Sequence, residues 1–260
     1  MTIASSGCWA RRVALVTGAT SGTGRDLCAY LAAHDWDVAI GWRSAEDRAL
    51  ALVEACRVSG ARTFAARLDV TDPDSCRAFV DGTVATLGRI HALANLAAWA
   101  APDGGYKVPL ESLDLSWLAR AFEVDVVGAL RMIQLCLPHL RAAGAAAVVN
   151  YSSASALASD PDLHAYLGAK VSIAAYTAAL ARELGPSVRI NCIAPGAIRT
   201  DWMERWAMPA DEERALAAAA CVGRLGEPRD LTSMTSFLLS DAASFITGQV
   251  FTVDGGLFLP

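Results

Sequence analysis

The stretch Val13-Ala14-Leu15-Val16-Thr17-Gly18-Ala19-Thr20-Ser21-Gly22-Thr23-Gly24 decides the fold of this chain. A short apolar, β-branched run ends at Thr17, and glycines follow at 18, 22 and 24. Glycine lets the backbone turn sharply and approach an anion closely. The helix expected from Gly22 to His34 adds unpaired N–H groups and the positive end of its dipole, which together suit a pyrophosphate. Glycine patterns alone mark many tight turns; a position directly between strand and helix is what singles this one out.

Outward from this loop, short apolar runs alternate with longer alanine-rich amphipathic stretches. Strands are expected at Val13–Thr17, Asp37–Trp42, Thr63–Leu68, Ala92–Leu96, Ala147–Tyr151, Val188–Ile193 and Val250–Val253. Helices are expected at Gly22–His34, Ala45–Ser59, Pro73–Leu87, Ser116–Ala143, Ala165–Leu184 and Arg229–Leu239. Parallel neighbours need helical crossovers, so this rhythm predicts an α/β fold: a doubly wound, Rossmann-type parallel sheet of about seven strands. No repeat or linker interrupts it, and one domain over residues 1–260 is expected, with 1–11 as an N-terminal extension. Residues 200–223 break the rhythm: Trp202, Met203, Trp206 and Met208 have helical spacing with no strand after them. They suit either a substrate loop over an apolar ligand, with Trp202 and Trp206 in the pocket, or a helix pair packed on the core or a partner.

Composition narrows the function classes. The 260 residues are 54% hydrophobic and carry 22 Lys+Arg against 27 Asp+Glu, a net charge of −5, with no basic run beyond Arg11-Arg12. A phosphate-tracking nucleic-acid surface is not expected. Seven scattered cysteines without a C-x-x-C pair point to free thiols in a reducing compartment. The mean hydropathy of +0.33 comes from dispersed alanine, and no stretch approaches the ~18–20 apolar residues of a membrane span. No signal peptide is read in Met1–Arg12, so a cytoplasmic protein is expected. His34, His91 and His139 have no partners at metal spacing, so no metal site is expected.

The end of the second strand discriminates between nicotinamide cofactors. A carboxylate there would accept hydrogen bonds from ribose hydroxyls and repel a 2′-phosphate; this chain has Gly41-Trp42-Arg43-Ser44 instead. Arg43 can pair with a phosphate and Ser44 can add a hydrogen bond, so NADP(H) is expected, with NAD(H) as the alternative. At the third strand's end, Asp69, followed by Val70, can accept from an adenine amino group or cap the helix near Pro73. Tyr166 and Lys170 lie at i and i+4 on one helix face, where the ammonium can stabilise a phenolate. Ser153, just past the fifth strand, can bind the same carbonyl oxygen as Tyr166. A donor, a polarising donor and a pKa tuner suit hydride transfer from a nicotinamide. Trp99 and His164 are pocket candidates, together with Ser155; Trp99 can equally fill a core gap.

These motifs resemble the short-chain dehydrogenase/reductase family, in particular its 3-oxoacyl-carrier-protein reductases. The glycine loop, Asp69, Asn95, Ser153, Tyr166/Lys170, Asn191–Gly196 with Thr200, Gly223–Pro228, Thr247-Gly248-Gln249 and Val253–Gly256 occur in the family's order, from about Arg12 to Leu257. The resemblance implies that Ser153 positions a substrate carbonyl, Tyr166 is the general acid/base, and Lys170 tunes it and binds the nicotinamide ribose. It places Gly18, Thr20, Ser21, Gly22, Thr23, Gly24, Asn95, Ala97, Pro195, Gly196, Ile198 and Thr200 along the cofactor. It also implies a homodimer or homotetramer formed through the helices at Ser116–Ala143 and Ala165–Leu184 and through the C-terminal strand.

Two positions depart from the family. Asn95-Leu96-Ala97-Ala98 stands where Asn-Asn-Ala-Gly is usual. Asp125 stands where an asparagine in a kinked central helix holds a water that relays protons to the lysine. An ionised Asp125 beside Lys170 would favour the ammonium and retune the tyrosine; a tolerated near-isostere is the other reading. The expected activity is NADPH-dependent reduction of a ketone or 3-oxoacyl-type substrate. The alternatives are reduction of a C=N bond in a pterin or cyclic imine, and a catalytically silent cofactor-binding protein.

Overall fold

Apolar strands that must be buried on both faces read as near-continuous hydrophobic runs, and the five inner strands of the seven here do so. In the computed structural model, which describes residues 11–102, 108–159, 163–201, 203 and 208–259, the seven are β1 (Arg12–Thr17), β2 (Trp36–Trp42), β3 (Thr63–Arg67), β4 (Ala92–Asn95), β5 (Ala146–Tyr151), β6 (Val188–Pro195) and β7 (Val250–Val253). All pair in parallel in the order β3-β2-β1-β4-β5-β6-β7. The two edge strands are the exceptions: β3 is half-buried and ends on exposed Arg67, and Val250 of β7 is exposed.

Helices cover both faces. They are α1 (Gly22–Ala33), α2 (Glu46–Val58), α3 (Pro73–Leu87), α4 (Leu115–Phe122), α5 (Ala129–Ala143), α6 (Ala154–Leu157), α7 (His164–Leu184), α8 (Ala210–Ala219) and α9 (Pro228–Leu239). One buried cluster joins Ala14, Val16, Val38, Ile40 and Val149 with Leu27, Leu31, Leu238 and Leu239 from α1 and α9. On the opposite face Leu15, Leu93, Val148 and Ile190 meet Phe79, Met132, Ile133, Leu140 and Leu184. This doubly wound sheet reverses direction between β1 and β4, where α/β folds open a crevice beyond the strands' carboxyl ends.

The expected strands all form, with ends shifted by one or two residues. The single helix expected over Ser116–Ala143 is interrupted: residues Glu123–Gly128 form a π-helical turn between α4 and α5. The turn ends at Gly128, where a Cβ would lie 2.7 Å from Val70 Cγ2, so only glycine lets the helix sit this close to the β3–α3 connection. The cap of α3 is Asp72, whose side chain accepts from Asp74 N–H at 2.9 Å. Asp69 does not cap it, which corrects that reading; its Oδ1 accepts from Thr71 N–H at 3.0 Å and Thr71 Oγ1–H at 2.7 Å. Among the described residues no helix is long and apolar enough to cross a membrane.

Candidate active site

The glycine loop turns on Gly18, whose φ of +62° is left-handed. A Cβ there would lie 2.8 Å from Ala97 N, so the loop backbone is pressed against the β4 exit. Thr17 Oγ1 holds that exit by accepting from Leu96 N–H at 3.1 Å and Ala97 N–H at 3.0 Å. Ser21 caps α1, with its Oγ accepting from Gly24 N–H at 3.1 Å. The first-turn amides of Gly22 and Thr23 precede any helical carbonyl partner and line the crevice.

The crevice is a cavity of ≈ 370 Å³ running along the strand ends. At one end stand Arg43, Ser44 and Asp69; in the middle lie Gly18, Thr20, Ser21, Gly22, Thr23, Val70 and Ala97. The far end is formed by Ser153, Ser155, Tyr166 and Lys170, with Pro195, Gly196, Ile198 and Thr200 along the wall. Amide and hydroxyl donors flanked by Arg43 and Lys170 form a set that suits the negative pyrophosphate of a dinucleotide.

Five expected site residues lie off the cavity lining: Gly24, Asn95, Trp99 and His164, and Asp125 behind the α7 wall. Gly24 packs beneath the loop, where a Cβ would sit 2.5 Å from Gly18 O. Asn95 is buried behind the cavity, donating to Asn150 Oδ1 at 2.9 Å and Ala129 O at 3.3 Å. Asn150 in turn donates to Thr177 Oγ1 at 3.0 Å, so a buried polar chain ties β4, β5 and α7 together. Trp99 packs among apolar residues with its ring 6.0 Å from that of Trp117, and half-buried His164 begins α7; neither lines the cavity. Trp202 and Trp206 lie outside the described residues.

The residues expected to transfer protons are concentrated at the α7 wall. Tyr166 hydrogen-bonds Ser153 through its hydroxyl, and Ser153 Oγ lies 2.8 Å from Ser155 Oγ. Lys170 Nζ is 5.4 Å from the Tyr166 ring centre and donates to Tyr151 O at 3.2 Å. The turn of helix at Lys170 is pinned by Ser152 Oγ–H, which donates to Lys170 O at 2.7 Å.

Asp125 stands behind this wall. The π-helical turn aims its side chain inward, and Asp125 Oδ2 lies 3.0 Å from Lys170 Nζ, with both side chains almost fully buried. Asp125 Oδ1 accepts from Trp99 N–H at 2.6 Å. Burial raises the Asp125 pKa above the usual carboxylate value, and the neighbouring ammonium only partly opposes this. Burial disfavours the Lys170 ammonium, yet the negative charges of the Asp125 carboxylate and of the Tyr166 phenolate outweigh it and raise the Lys170 pKa. Burial also raises the Tyr166 pKa, against the lowering influence of Lys170 and Ser153, and Asp125 adds to the rise.

Met203 and Met208, from the 200–223 stretch singled out by its spacing, line the cavity, and so do residues that carry no motif of their own in the sequence. Val124, Leu163, Leu216, Leu257 and Phe258 join the two methionines in giving the cavity an apolar lining, with Glu212 among them. Leu257 and Phe258 arrive because Asp254 folds the C-terminal tail: its carboxylate accepts from Gly256 N–H at 2.9 Å and Phe258 N–H at 2.8 Å. Gly196 accommodates this brace, since a Cβ there would sit 2.5 Å from Asp254 Cβ. Among the described residues no group of His, Cys, Asp and Glu could hold a metal ion.

Comparison with known proteins supplies the context of this geometry. The family model described as Enoyl-(Acyl carrier protein) reductase matches residues 18–258. The cis-4-hydroxycyclohexanecarboxylate dehydrogenase of Sinomonas cyclohexanicum is 37% identical over 251 residues, covering 95% of this chain and 97% of that one. The 3-oxoacyl-[acyl-carrier-protein] reductase of Staphylococcus aureus is 28% identical, over 95% of this chain and 98% of its own. A 7α-hydroxysteroid dehydrogenase solved with NADH and 7-oxo glycochenodeoxycholic acid superposes with a TM-score of 0.87 at 29% identity, covering 94% of this chain and 93% of that one. The chain belongs to the short-chain dehydrogenase/reductase family of NAD(P)(H)-dependent oxidoreductases.

Proposed function

We propose that this protein is an NADPH-dependent reductase of compact, largely apolar ketones or 3-oxoacyl-type substrates, with the reverse alcohol oxidation available at the same site. One observation carries the reading: Ser153, Tyr166 and Lys170 line the far end of the cavity whose near end holds Arg43 and Ser44. Bound NADPH would supply a hydride to the carbonyl carbon. Gly18 to Thr23 would hold its pyrophosphate, Arg43 and Ser44 its 2′-phosphate, and Lys170 its nicotinamide ribose. The absence of any carboxylate in residues 41–44 supports the phosphorylated form.

The chain's own groups then manage the proton. Ser153, already bonded to Tyr166, polarises the carbonyl oxygen and fixes its distance from the phenol. Tyr166 donates its proton to that oxygen as negative charge develops, and Lys170 steadies the phenolate that remains. Asp125 and Tyr151 O hold the Lys170 ammonium at two points, leaving a donor for the cavity. Apolar walls from Val124, Leu163, Leu216 and Phe258 exclude water and favour a substrate with a hydrocarbon body. The relatives named above carry a hydroxyl or an oxo group in their substrates' names, which supports a ketone/alcohol pair.

Residues 1–260 would act as one dinucleotide-binding and catalytic domain, with 200–223 contributing the substrate loop through Met203, Met208 and Leu216. A homodimer or homotetramer accords with the exposed apolar side chains of Leu115 and Phe122 on α4, Val127 in the π-helical turn and Val171 on α7, and with the exposed edge at Val250. The free thiols of Cys28, Cys56, Cys76, Cys136, Cys192 and Cys221 accord with residence in the cytoplasm.

The test is NADPH and NADH consumption across ketones, 3-oxoacyl thioesters and cyclic imines, with wild type and Tyr166→Phe. Turnover of ketones lost by about 10²–10⁴-fold in Tyr166→Phe, with NADPH affinity kept, is the expected result. Turnover confined to imines, or tight cofactor binding without turnover of any substrate, would overturn it.

A further inference from the structure

Beside Arg43 and Ser44 the cavity wall carries a second arginine, Arg48, one turn into α2. Its guanidinium is taken up by a carboxylate: Arg48 Nη1 contacts Asp201 Oδ2, while Arg25 Nη2 on α1 donates to Asp201 Oδ1 at 3.1 Å. The Asp201 side chain is only 19% exposed, against 39% for Arg25 and 49% for Arg48. Burial opposes its charge, but the two arginines outweigh burial and hold its pKa below the usual value, so it stays ionised. Asp201 lines the same cavity. It is placed there by Thr200, whose Cβ lies 3.0 Å from where a Cβ on Gly22 would sit, against the glycine loop.

An anion entering beside Arg43 and Ser44 therefore competes with Asp201 for Arg48 and also meets the charge of Asp201 itself. We propose that Asp201, acting through Arg48, sets how strongly this protein distinguishes a 2′-phosphorylated dinucleotide from its dephosphorylated form. Asp201 is a positioning residue here: it governs how far Arg48 is free to turn toward a 2′-phosphate, whereas Arg25 shares the carboxylate from the side of the loop. Glu46 and Asp47, exposed on the first turn of α2, do not line the cavity; Asp69 does, but its charge bears on Arg43, whereas Asp201 is the carboxylate bound to Arg48. The inference rests on placing the adenosine ribose at the Arg43 end.

Calorimetric titration with adenosine 2′,5′-bisphosphate and with adenosine 5′-monophosphate separates the two ideas without any turnover. Wild type, Arg43→Ala, Arg48→Ala, Asp201→Asn and the Arg48→Ala/Asp201→Asn double variant are compared by the ratio of the two affinities. Asp201→Asn is expected to widen the ratio in favour of the bisphosphate about three- to fivefold, and Arg48→Ala to narrow it by a similar factor. In the Arg48→Ala background the Asp201 substitution is expected to leave the ratio unchanged. An equal change of both affinities in Asp201→Asn would reduce Asp201 to a structural brace and overturn the proposal, as would a widened ratio that survives removal of Arg48. A wild type without preference for the bisphosphate, insensitive to Arg43→Ala, would defeat the NADPH assignment alone if Asp201→Asn creates the preference, and both ideas if it does not.

Discussion

Replacing Asp125 with asparagine removes one charge from a buried pair while keeping the side chain's size and an acceptor for Trp99 N–H. At the observed 3.0 Å separation, two unit charges attract by about 5–6 kcal/mol at an effective dielectric of ~20. Deleting one partner of such a pair leaves the other ion buried and costs about 3 kcal/mol, which for a chain of this length lowers Tm by roughly 6–12 °C. The catalytic consequence has a definite sign. Asp125 raises the pKa of both Tyr166 and Lys170, so removing its charge lowers both. On the proposed mechanism, alcohol oxidation rises with pH as Tyr166 loses its proton and falls as Lys170 loses its own. Both limbs of the profile are therefore expected to move toward lower pH in Asp125→Asn. The assay is the pH dependence of kcat/KM for a secondary alcohol with NADP⁺. A parallel ultraviolet phenolate titration of the cofactor-free protein uses Tyr166→Phe to assign the signal. A profile and phenolate titration superimposable on wild type, or displaced toward higher pH, would refute the ion-pair reasoning; an unchanged Tm would show that the buried pair contributes nothing to stability.

Other perturbations follow from particular contacts. Gly18→Ala places a Cβ at φ +62° and 2.8 Å from Ala97 N; a loss of about 2 kcal/mol or more by urea unfolding, with at least tenfold weaker NADPH binding, is expected. Gly128→Ala drives a methyl to 2.7 Å from Val70 Cγ2 and is expected to cost about 1–3 kcal/mol, read as a lower urea midpoint. His91 Nδ1 accepts from Val13 N–H at 2.9 Å and so acts as a neutral ring. Burial, with Arg12 and Arg89, lowers its pKa below the ordinary ~6.5, so its contribution is present above ~6.5 and is lost as pH falls. Wild type is expected to lose stability more steeply than His91→Phe between about pH 7 and about pH 5, and parallel urea midpoints across that range would count against it.

How much of this was legible in the sequence depends on the range over which each feature is encoded. Strand and helix periodicity is local, so all seven strands and the six crossover helices appear within one or two residues, apart from the central helix. Its interruption at Glu123–Gly128 is invisible to periodicity because a π-helical turn adds a residue without glycine or proline inside it; only Gly128 marks its end. The Tyr166/Lys170 pair was readable because i and i+4 share a helix face. Trp99 is read as a pocket residue from its place just past a strand, and Asn95 as a cofactor residue from the family resemblance; neither placement encodes the side chain's partner, and Asn95 turns to Asn150 while Trp99 packs on Trp117. Thr17, which clamps Leu96 and Ala97 from 79 and 80 residues away, leaves no trace in either segment alone.

The two departures from the family pattern meet in one structure. Ala98 follows a segment whose backbone is fixed by Thr17, and the next residue, Trp99, gives its N–H to Asp125. The β4 exit therefore holds the carboxylate that holds Lys170, so residues 96–99 are connected to the tyrosine's proton affinity through a backbone hydrogen bond and an ion pair. An asparagine at 125 would accept the same N–H but carry no charge to Lys170. The peptide at Trp99 would then orient a side chain with no electrostatic effect on the site. The aspartate makes the position of this loop an electrostatic variable of the site, because any shift of the β4 exit moves the charge that lies 3.0 Å from the Lys170 ammonium.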